Sequence, residues 1–474
     1  MDARNATPAE FRAAREPSGP PPVSLWTILR GRTVDPLVRW TSIREQHGDV
    51  ARYRFAFRDT FFLTSADGAK RVLQDNAPNY TKQHSSYRML RRLLGDGLLT
   101  SEGDFWLRQR RLAQPSFQRE RIAAMAGAMV SSALETGEAW ERAASSGAPL
   151  SLAREMSALT LRIVGEALFG ATLAAQTAAI AASWGVLNAQ LSERVRTFRL
   201  LPPILPTPYD AAFRRARRTL FDVVDEIIRA KRSRGIRGAD LLTAWMHARD
   251  EDTGERMTDR QLRDEVVTML LAGHETTAIT LTWAWIRLAL DRTAARLLHD
   301  ELDRVLGGRA PTADDVGRLP YTKALVNETL RFHSPAYIVN RHVLDDDVIA
   351  GHRIHRGGSI VLSPLVLHRH PAYWSHPDTF DPGRWLERED PPRPKFAFIP
   401  FSAGPRQCIG NHFSLMESVL ILAVLAQRFA PRLLDERLPN TEYLVLARPV
   451  GPVSARIERR LPTNDRRAPS AAAG

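Results

Sequence analysis

The chain has 474 residues, 44% hydrophobic and 25% charged, enough apolar material for a large core and too much for a disordered chain. Lys and Arg (66) exceed Asp and Glu (53), for a formal charge of +13 that invites an acidic partner, nucleic acid or an anionic surface. The single cysteine, Cys408, excludes an intrachain disulfide framework and a structural zinc site built on several cysteines.

Residues 1–25 lack the apolar run of a signal peptide, and no stretch of about 18 apolar residues occurs anywhere. The expectation is a cytoplasmic protein without a membrane anchor. Residues 1–22 are polar and end in Pro20, Pro21 and Pro22, an extended or disordered lead-in. Asp35-Pro36 offers an N-cap and a first-turn proline, with Gly48 as the stop. Val50 to Thr64 reads as a hairpin with Arg58-Asp59 at its turn. From Ser65 to Leu306 the pattern is mostly helical, punctuated by Gly170, by Pro202, Pro203, Pro206 and Pro208, and by the run Arg232 to Gly238.

Thr258 and Gln261 form a capping box before an apolar run reaching about Leu290. Roughly 32 residues at 1.5 Å each would span about 48 Å, enough to cross a domain. Broad apolarity predicts that this helix is central and buried. Helices over Thr293–Leu306 and Tyr321–Phe332 follow. After Pro335 come short strands, down to about Ser363. A last helix is predicted over about Asn411 to Phe429, a closing hairpin over 442–458 and a disordered tail over 461–474. Helix-rich and strand-rich parts interleave without a long linker, which favours one domain over 23–460.

Cys408 lies in Phe401-Ser-Ala-Gly404-Pro-Arg406-Gln-Cys408-Ile-Gly410. Glycines at −4 and +2 suit a tight loop whose backbone approaches a flat ligand. Arg406 supplies a cation for a carboxylate. A helix begun just after Gly410 would lower the thiol pKa through its free N–H groups. This is a loop built to present a thiolate, the ligand that favours O–O cleavage on haem iron.

Phe401-x-x-Gly404-x-Arg406-x-Cys408-x-Gly410 resembles the haem-binding loop of the cytochrome P-450 family. The resemblance covers about residues 18–458 and implies a mainly α fold with a small β region, one large haem domain holding haem b (iron protoporphyrin IX). Cys408 would then be the axial iron ligand. Glu328 and Arg331, at i and i+3 of one helix, resemble with Arg384 the family's structural triad; alone, a Glu-x-x-Arg is a surface ion pair. Trp385 stands where the family often has Phe. Ala272-Gly273-His274-Glu275-Thr276 resembles the family's oxygen-side helix: Ala272 and Gly273 would let a flat group lie close, and Glu275 and Thr276 would deliver protons. Such polar residues can also be a packed kink, with threonines bonded back to carbonyls. Trp106 and Arg110 resemble the pair that binds a haem propionate, with Arg341 and Arg406 as further propionate partners.

By family position the substrate pocket would be lined by Leu98, Leu99, Met269, Ala336, Ile338, Val339 and Leu446, an apolar set suited to a lipophilic terpenoid, fatty acid or polyketide. Arg58 could meet a carboxylate at the channel mouth, though a solvated turn arginine is the plainer reading. No flavin, nicotinamide or iron–sulfur segment is present, so the resemblance implies a monomer that takes electrons from a ferredoxin and its reductase and oxygen from O2. A peroxygenase or isomerase would keep Cys408 but need no reductant. A basic nucleic-acid-binding protein would use the charge, but no binding motif supports it and no nucleic-acid partner is expected. His352 and His355, and His368 and His370, sit in strand and turn surroundings without carboxylate partners and are assigned no metal.

Overall fold

The helix opened by Thr258 is the axis on which the rest is assembled. The computed structural model describes residues 5–21, 35–55, 58–170, 176–196, 208–238, 240–250, 252–387 and 391–460, and this helix runs Asp259–Leu290. Both halves of the capping box form: the Gln261 N–H donates to Thr258 Oγ1 at 3.3 Å, and the Thr258 N–H to Gln261 Oε1 at 2.8 Å. Buried residues lie on all its sides, including Trp283 and Trp285, so it crosses the interior. Helices Leu152–Ile163, Pro208–Ser233, Pro320–Phe332 and Asn411–Leu425 pack around it. Trp140, from the helix Ala126–Ser146, meets Trp285 at 5.3 Å between ring centres. Each fully buried aliphatic side chain here, such as Leu270, Leu281 or Ile286, stabilises by about 1.5–3 kcal/mol.

Beside this helical body lies a five-stranded sheet in the order Val50–Phe55, Arg58–Leu63, Ser359–Leu362, Val339–Val343, Tyr80–Thr81. Only the Arg58–Leu63 and Ser359–Leu362 pair is parallel. Along Val339–Val343 burial alternates with the two-residue strand period, which puts Arg341 on the inward face with Val339 and Val343. That alternation carries a charged side chain to 3% exposure.

Several boundaries differ from those expected. Arg58 and Asp59 are not the turn: they pair with Phe55 and Arg54 inside the second strand of the hairpin. The last helix ends at Leu425, because Phe429–Leu433 is a strand. Residues 442–458 are not one hairpin. Thr441–Tyr443 pairs with Ala447–Pro449, while Ser454–Arg459 pairs with Phe429–Leu433 and with Leu150–Ser151. The lead-in is ordered over part of its length: Thr7 and Glu10 form a capping box for a helix Pro8–Ala13, and Arg15 bridges to His352. The expected breaks at Pro202, Pro203 and Pro206 and the tail 461–474 lie outside the described residues. None of the described helices is long and apolar enough to cross a membrane.

Candidate haem site

The Cys408 loop is closed by the Cys408 N–H donating to the Phe401 carbonyl at 2.9 Å and the Gln407 N–H to that of Gly404 at 3.0 Å. Gly404 has φ +67°, and a Cβ there would lie 1.7 Å from the Leu73 carbonyl oxygen, so only glycine fits. Gly410 carries no such clash. It precedes the helix Asn411–Leu425, whose first turn has no side-chain cap.

Cys408 is exposed, yet burial pushes its thiol pKa up. The two facts agree if the sulfur sits on the wall of a hollow, crowded by protein on one side and open on the other. The Gly410 N–H, Arg110 and Lys82 pull the thiol down but do not outweigh burial. The expected lowering by the helix start is therefore present but loses to desolvation. A bound cation reverses that balance, since a coordinating thiol is deprotonated outright.

Ala272 is exposed although it lies mid-way along the buried crossing helix, flanked by buried Leu271 and His274. It faces free space. Gly273 does not serve as expected: the Cβ it lacks would lie 3.2 Å from Val164 Cγ2, so its smallness admits a neighbouring side chain rather than a ligand. Glu275 is buried, with Oε2 3.7 Å from His274 Nε2. Thr276 Oγ1 donates to the Ala272 carbonyl at 2.8 Å, the back-bonded arrangement typical of helical threonine.

The cations converge at one edge. Arg406 pairs with Glu102 at 2.6 Å, donates to the Ser101 carbonyl at 3.0 Å, and stacks on Trp106 with 3.7 Å from guanidinium carbon to ring centre. Arg110 donates to the Gln407 carbonyl at 3.0 Å, tying the helix Gly103–Ala113 to the cysteine loop. Arg341 donates to the Tyr87 hydroxyl at 3.3 Å. Burial brings Arg406 down to about 10.

Lys82 completes this group and was not foreseen. It is 8% exposed; its ammonium donates to the Leu99 carbonyl at 3.0 Å and pairs with no carboxylate among the described residues. Burial holds it well below its ordinary pKa, and Arg341 and Arg406 add to that. A buried cation beside two arginines is stable only if further negative charge arrives. With Glu102 as the one nearby acid, the set suits the two propionates of a haem. The residues present therefore fit the group: a thiol presented by a glycine-shaped loop, an exposed alanine on the crossing helix, and cations gathered beside the loop.

Glu328, Arg331 and Arg384 come together as expected. Arg331 donates through Nε and Nη2 to Glu328 at 2.8 Å each, and Arg384 Nε at 3.1 Å. Arg331 also donates to the carbonyls of His368, Pro377 and Thr379, pinning the chain that leads into the cysteine loop.

The pocket candidates are only partly gathered. Leu98, Leu99, Met269 and Leu446 share the largest apolar cluster, and Ala336 is exposed. Val339 belongs to one apolar cluster of the sheet, and Ile338 packs against the other, formed by Ile43, Ala51, Phe62, Val361 and Val366. The turn at Leu444–Leu446 is tied to the segment after Pro335: the Ala447 N–H donates to the Pro335 carbonyl at 2.9 Å, and the Tyr337 hydroxyl to the Leu444 carbonyl at 2.9 Å. His370 and His355 do have carboxylate partners, Asp49 at 2.9 Å and Glu16 at 3.0 Å, one for each of the two histidines.

Comparison with known proteins gives the same reading. The cytochrome P-450 family model matches residues 17–453. Cyclooctatin synthase of Streptomyces melanosporofaciens is 36% identical over 390 residues, 81% of this chain and 83% of that one. Cyclooctat-9-en-7-ol 5-monooxygenase of the same organism is 31% identical over 400 residues, 81% and 83% of the two chains. Pentalenene oxygenase of Streptomyces avermitilis is 31% identical over 422 residues, 88% and 91% of the two. The crystal structure of the cytochrome P450DA heme domain superposes with a TM-score of 0.85 at 28% identity, covering 95% of this chain and 99% of that one. With the thiol loop, the crossing helix and the buried triad in one frame, the chain belongs to the cytochrome P-450 family and is a haem-dependent oxidoreductase of the monooxygenase kind.

Proposed function

We propose that the chain binds haem b with Cys408 as axial ligand and hydroxylates a terpenoid-like lipophilic molecule, using O2 and electrons from a ferredoxin and its reductase. The observation that carries this is the glycine-shaped loop that leaves Cys408 exposed, with the cations Lys82, Arg110, Arg341 and Arg406 gathered beside it. Bound there, haem supplies oxygen activation and insertion of one oxygen atom into a C–H bond.

The protein's share is orientation and proton handling. Lys82, Arg341 and Arg406, with Arg110 near Cys408, would hold the propionates of the bound group. Trp106 stiffens Arg406 by stacking. Glu275 Oε2, near the His274 ring, takes a proton from the helix side and passes it toward Thr276 Oγ1. That hydroxyl gives up its bond to the Ala272 carbonyl to hold a water and donate. Leu98, Leu99, Met269 and Leu446 exclude bulk water and receive an apolar body.

The substrate class rests on relatives named for pentalenene and cyclooctat-9-en-7-ol, an unsaturated hydrocarbon and an unsaturated alcohol by their suffixes. The basic surface suits an acidic ferredoxin. Turnover of a panel of cyclic terpenes with NAD(P)H, ferredoxin and reductase under labelled O2 tests the proposal. The expected result is a hydroxylated product carrying the label. Product formed with peroxide alone, or no ligand-induced spectral change across the panel, would overturn it.

A further inference from the structure

The first turns of the crossing helix are pressed against the loop Gly95–Ser101. The Asp96 N–H donates to Asp264 Oδ2 and the Leu98 N–H to Glu265 Oε2, both at 3.0 Å. A Cβ on Gly95 would lie 2.2 Å from the Asp264 carboxyl carbon, and one on Gly97 2.3 Å from Thr268 Oγ1. The loop reaches this depth because both positions are glycine. Glu265 is 1% exposed, and its second oxygen, Oε1, is buried without a hydrogen bond among the described residues. Leu98 and Leu99 form the middle of the loop. Its far end, Ser101 and Glu102, holds Arg406, two residues from Cys408.

We propose that Glu265 is a positioning residue whose protonated carboxyl clasps the Gly95–Ser101 loop over the substrate pocket, so that closing the loop takes up one proton from solvent. The step converts carboxylate to carboxylic acid and changes no other bond. That the loop roofs a substrate pocket rests on the function proposed above; the clasp itself does not.

Burial pushes the Glu265 carboxyl up to about 8; the Leu98 N–H opposes this and Asp264 adds to it. The other charged groups act on Asp264 instead. Burial raises Asp264, opposed by the Asp96 N–H and then by Arg263 and Arg260, with the Asp96 carboxylate pushing up. Arg217, on the helix Pro208–Ser233, donates to the Leu93 carbonyl and feels Asp264. Among the described residues no cation therefore compensates an ionised Glu265. With the loop lifted, water reaches the carboxyl and its pKa returns toward the ordinary 4.5. Between about 4.5 and 8 the closed form is protonated and the open form ionised. Closing then weakens by up to about tenfold per pH unit as pH rises, and is level outside that window.

Amide hydrogen exchange at Leu98 in the haem-loaded protein tests this. After correction for the intrinsic pH dependence of exchange, protection at Leu98 is expected to fall between about pH 5 and 8 by up to about tenfold per unit. The amide of Ala426, buried and bonded to the Leu422 carbonyl at 2.9 Å, should hold level. Glu265→Gln keeps a carbonyl acceptor for the Leu98 N–H and should abolish the slope. A calorimetric dissociation constant for a neutral cyclic terpene should weaken over the same range in the wild type and stay flat in the variant. Flat protection at Leu98 in the wild type, an equal slope at Ala426, or an unchanged slope in Glu265→Gln would overturn the clasp. A slope without terpene binding would support the clasp and count against the substrate class.

Discussion

The Trp385 indole donates to Glu328, Nε1 to Oε2 at 2.9 Å. The same buried carboxylate accepts from Arg331, Arg384 and the Asp381 N–H, so Trp385 is a fourth partner rather than a filler. Trp385→Phe keeps the packing on Phe398 and removes one donor, for an expected loss of about 1–2 kcal/mol. Glu328→Gln strips the charge from two buried arginines and should cost about 3–5 kcal/mol. Urea unfolding of the haem-loaded variants checks the order. Equal losses would contradict the ranking.

Acid should destabilise the fold through its buried histidines. Burial, with Arg331 and Arg369 adding to it, holds His368 down to about 3, and its Nε2 accepts from the Ile399 N–H at 2.9 Å. His333, stacked on Trp283 at 3.8 Å, is also held well below its ordinary value by burial, then by Arg287. Both stay neutral in the native state while the unfolded chain takes up protons. Their contribution is thus intact above about pH 6.5 and is lost as pH falls toward 3. At pH 5 His368 alone should cost about 2 kcal/mol. His368→Gln keeps an acceptor for Ile399 and should recover most of that loss, read as urea midpoints at pH 7 and 5.

Lys82 should govern how firmly haem is kept. Lys82→Met removes the buried cation without removing its apolar stem, and haem transfer to a scavenging apoglobin should speed about tenfold. Arg406→Lys should do at least as much, because the Ser101, Glu102 and Trp106 contacts need a planar fork. Unchanged transfer in both variants would detach this edge from the propionates.

Thr276→Val and Glu275→Gln should uncouple electron use from product. Substrate binding is expected to hold within about twofold, while product per NAD(P)H falls about tenfold or more and peroxide rises, in line with the loss of a positioned proton donor. Full coupling in both would remove the pair from the proton path.

What could be read from the sequence was whatever chemistry is packed into a short run. The Cys408 loop, the capping box of the crossing helix and the i, i+3 pair Glu328 and Arg331 declare themselves within a few residues of each other. Lys82 does not: its neighbours Leu99, Glu102, Arg341 and Arg406 come from three separate segments, and its only signal was rarity, one of five lysines in a chain that otherwise uses arginine. Gly273 was misread because a missing side chain does not say which neighbour occupies its place. Glu265 looks like any acid near a helix start, and only the depth of the Gly95–Ser101 loop shows that it is buried. The hairpin expected over 442–458 fails because that run contains turn residues at the right intervals, but the partners of Ser454–Arg459 lie at Phe429–Leu433 and Leu150–Ser151.

The central claim is that Cys408 supplies a thiolate to haem iron. The reduced carbon-monoxide difference spectrum of the wild type and of Cys408→Ala tests it most directly. A thiolate-type Soret band in the wild type, absent from the variant while haem still binds, is the predicted result. The same band retained in Cys408→Ala would contradict it.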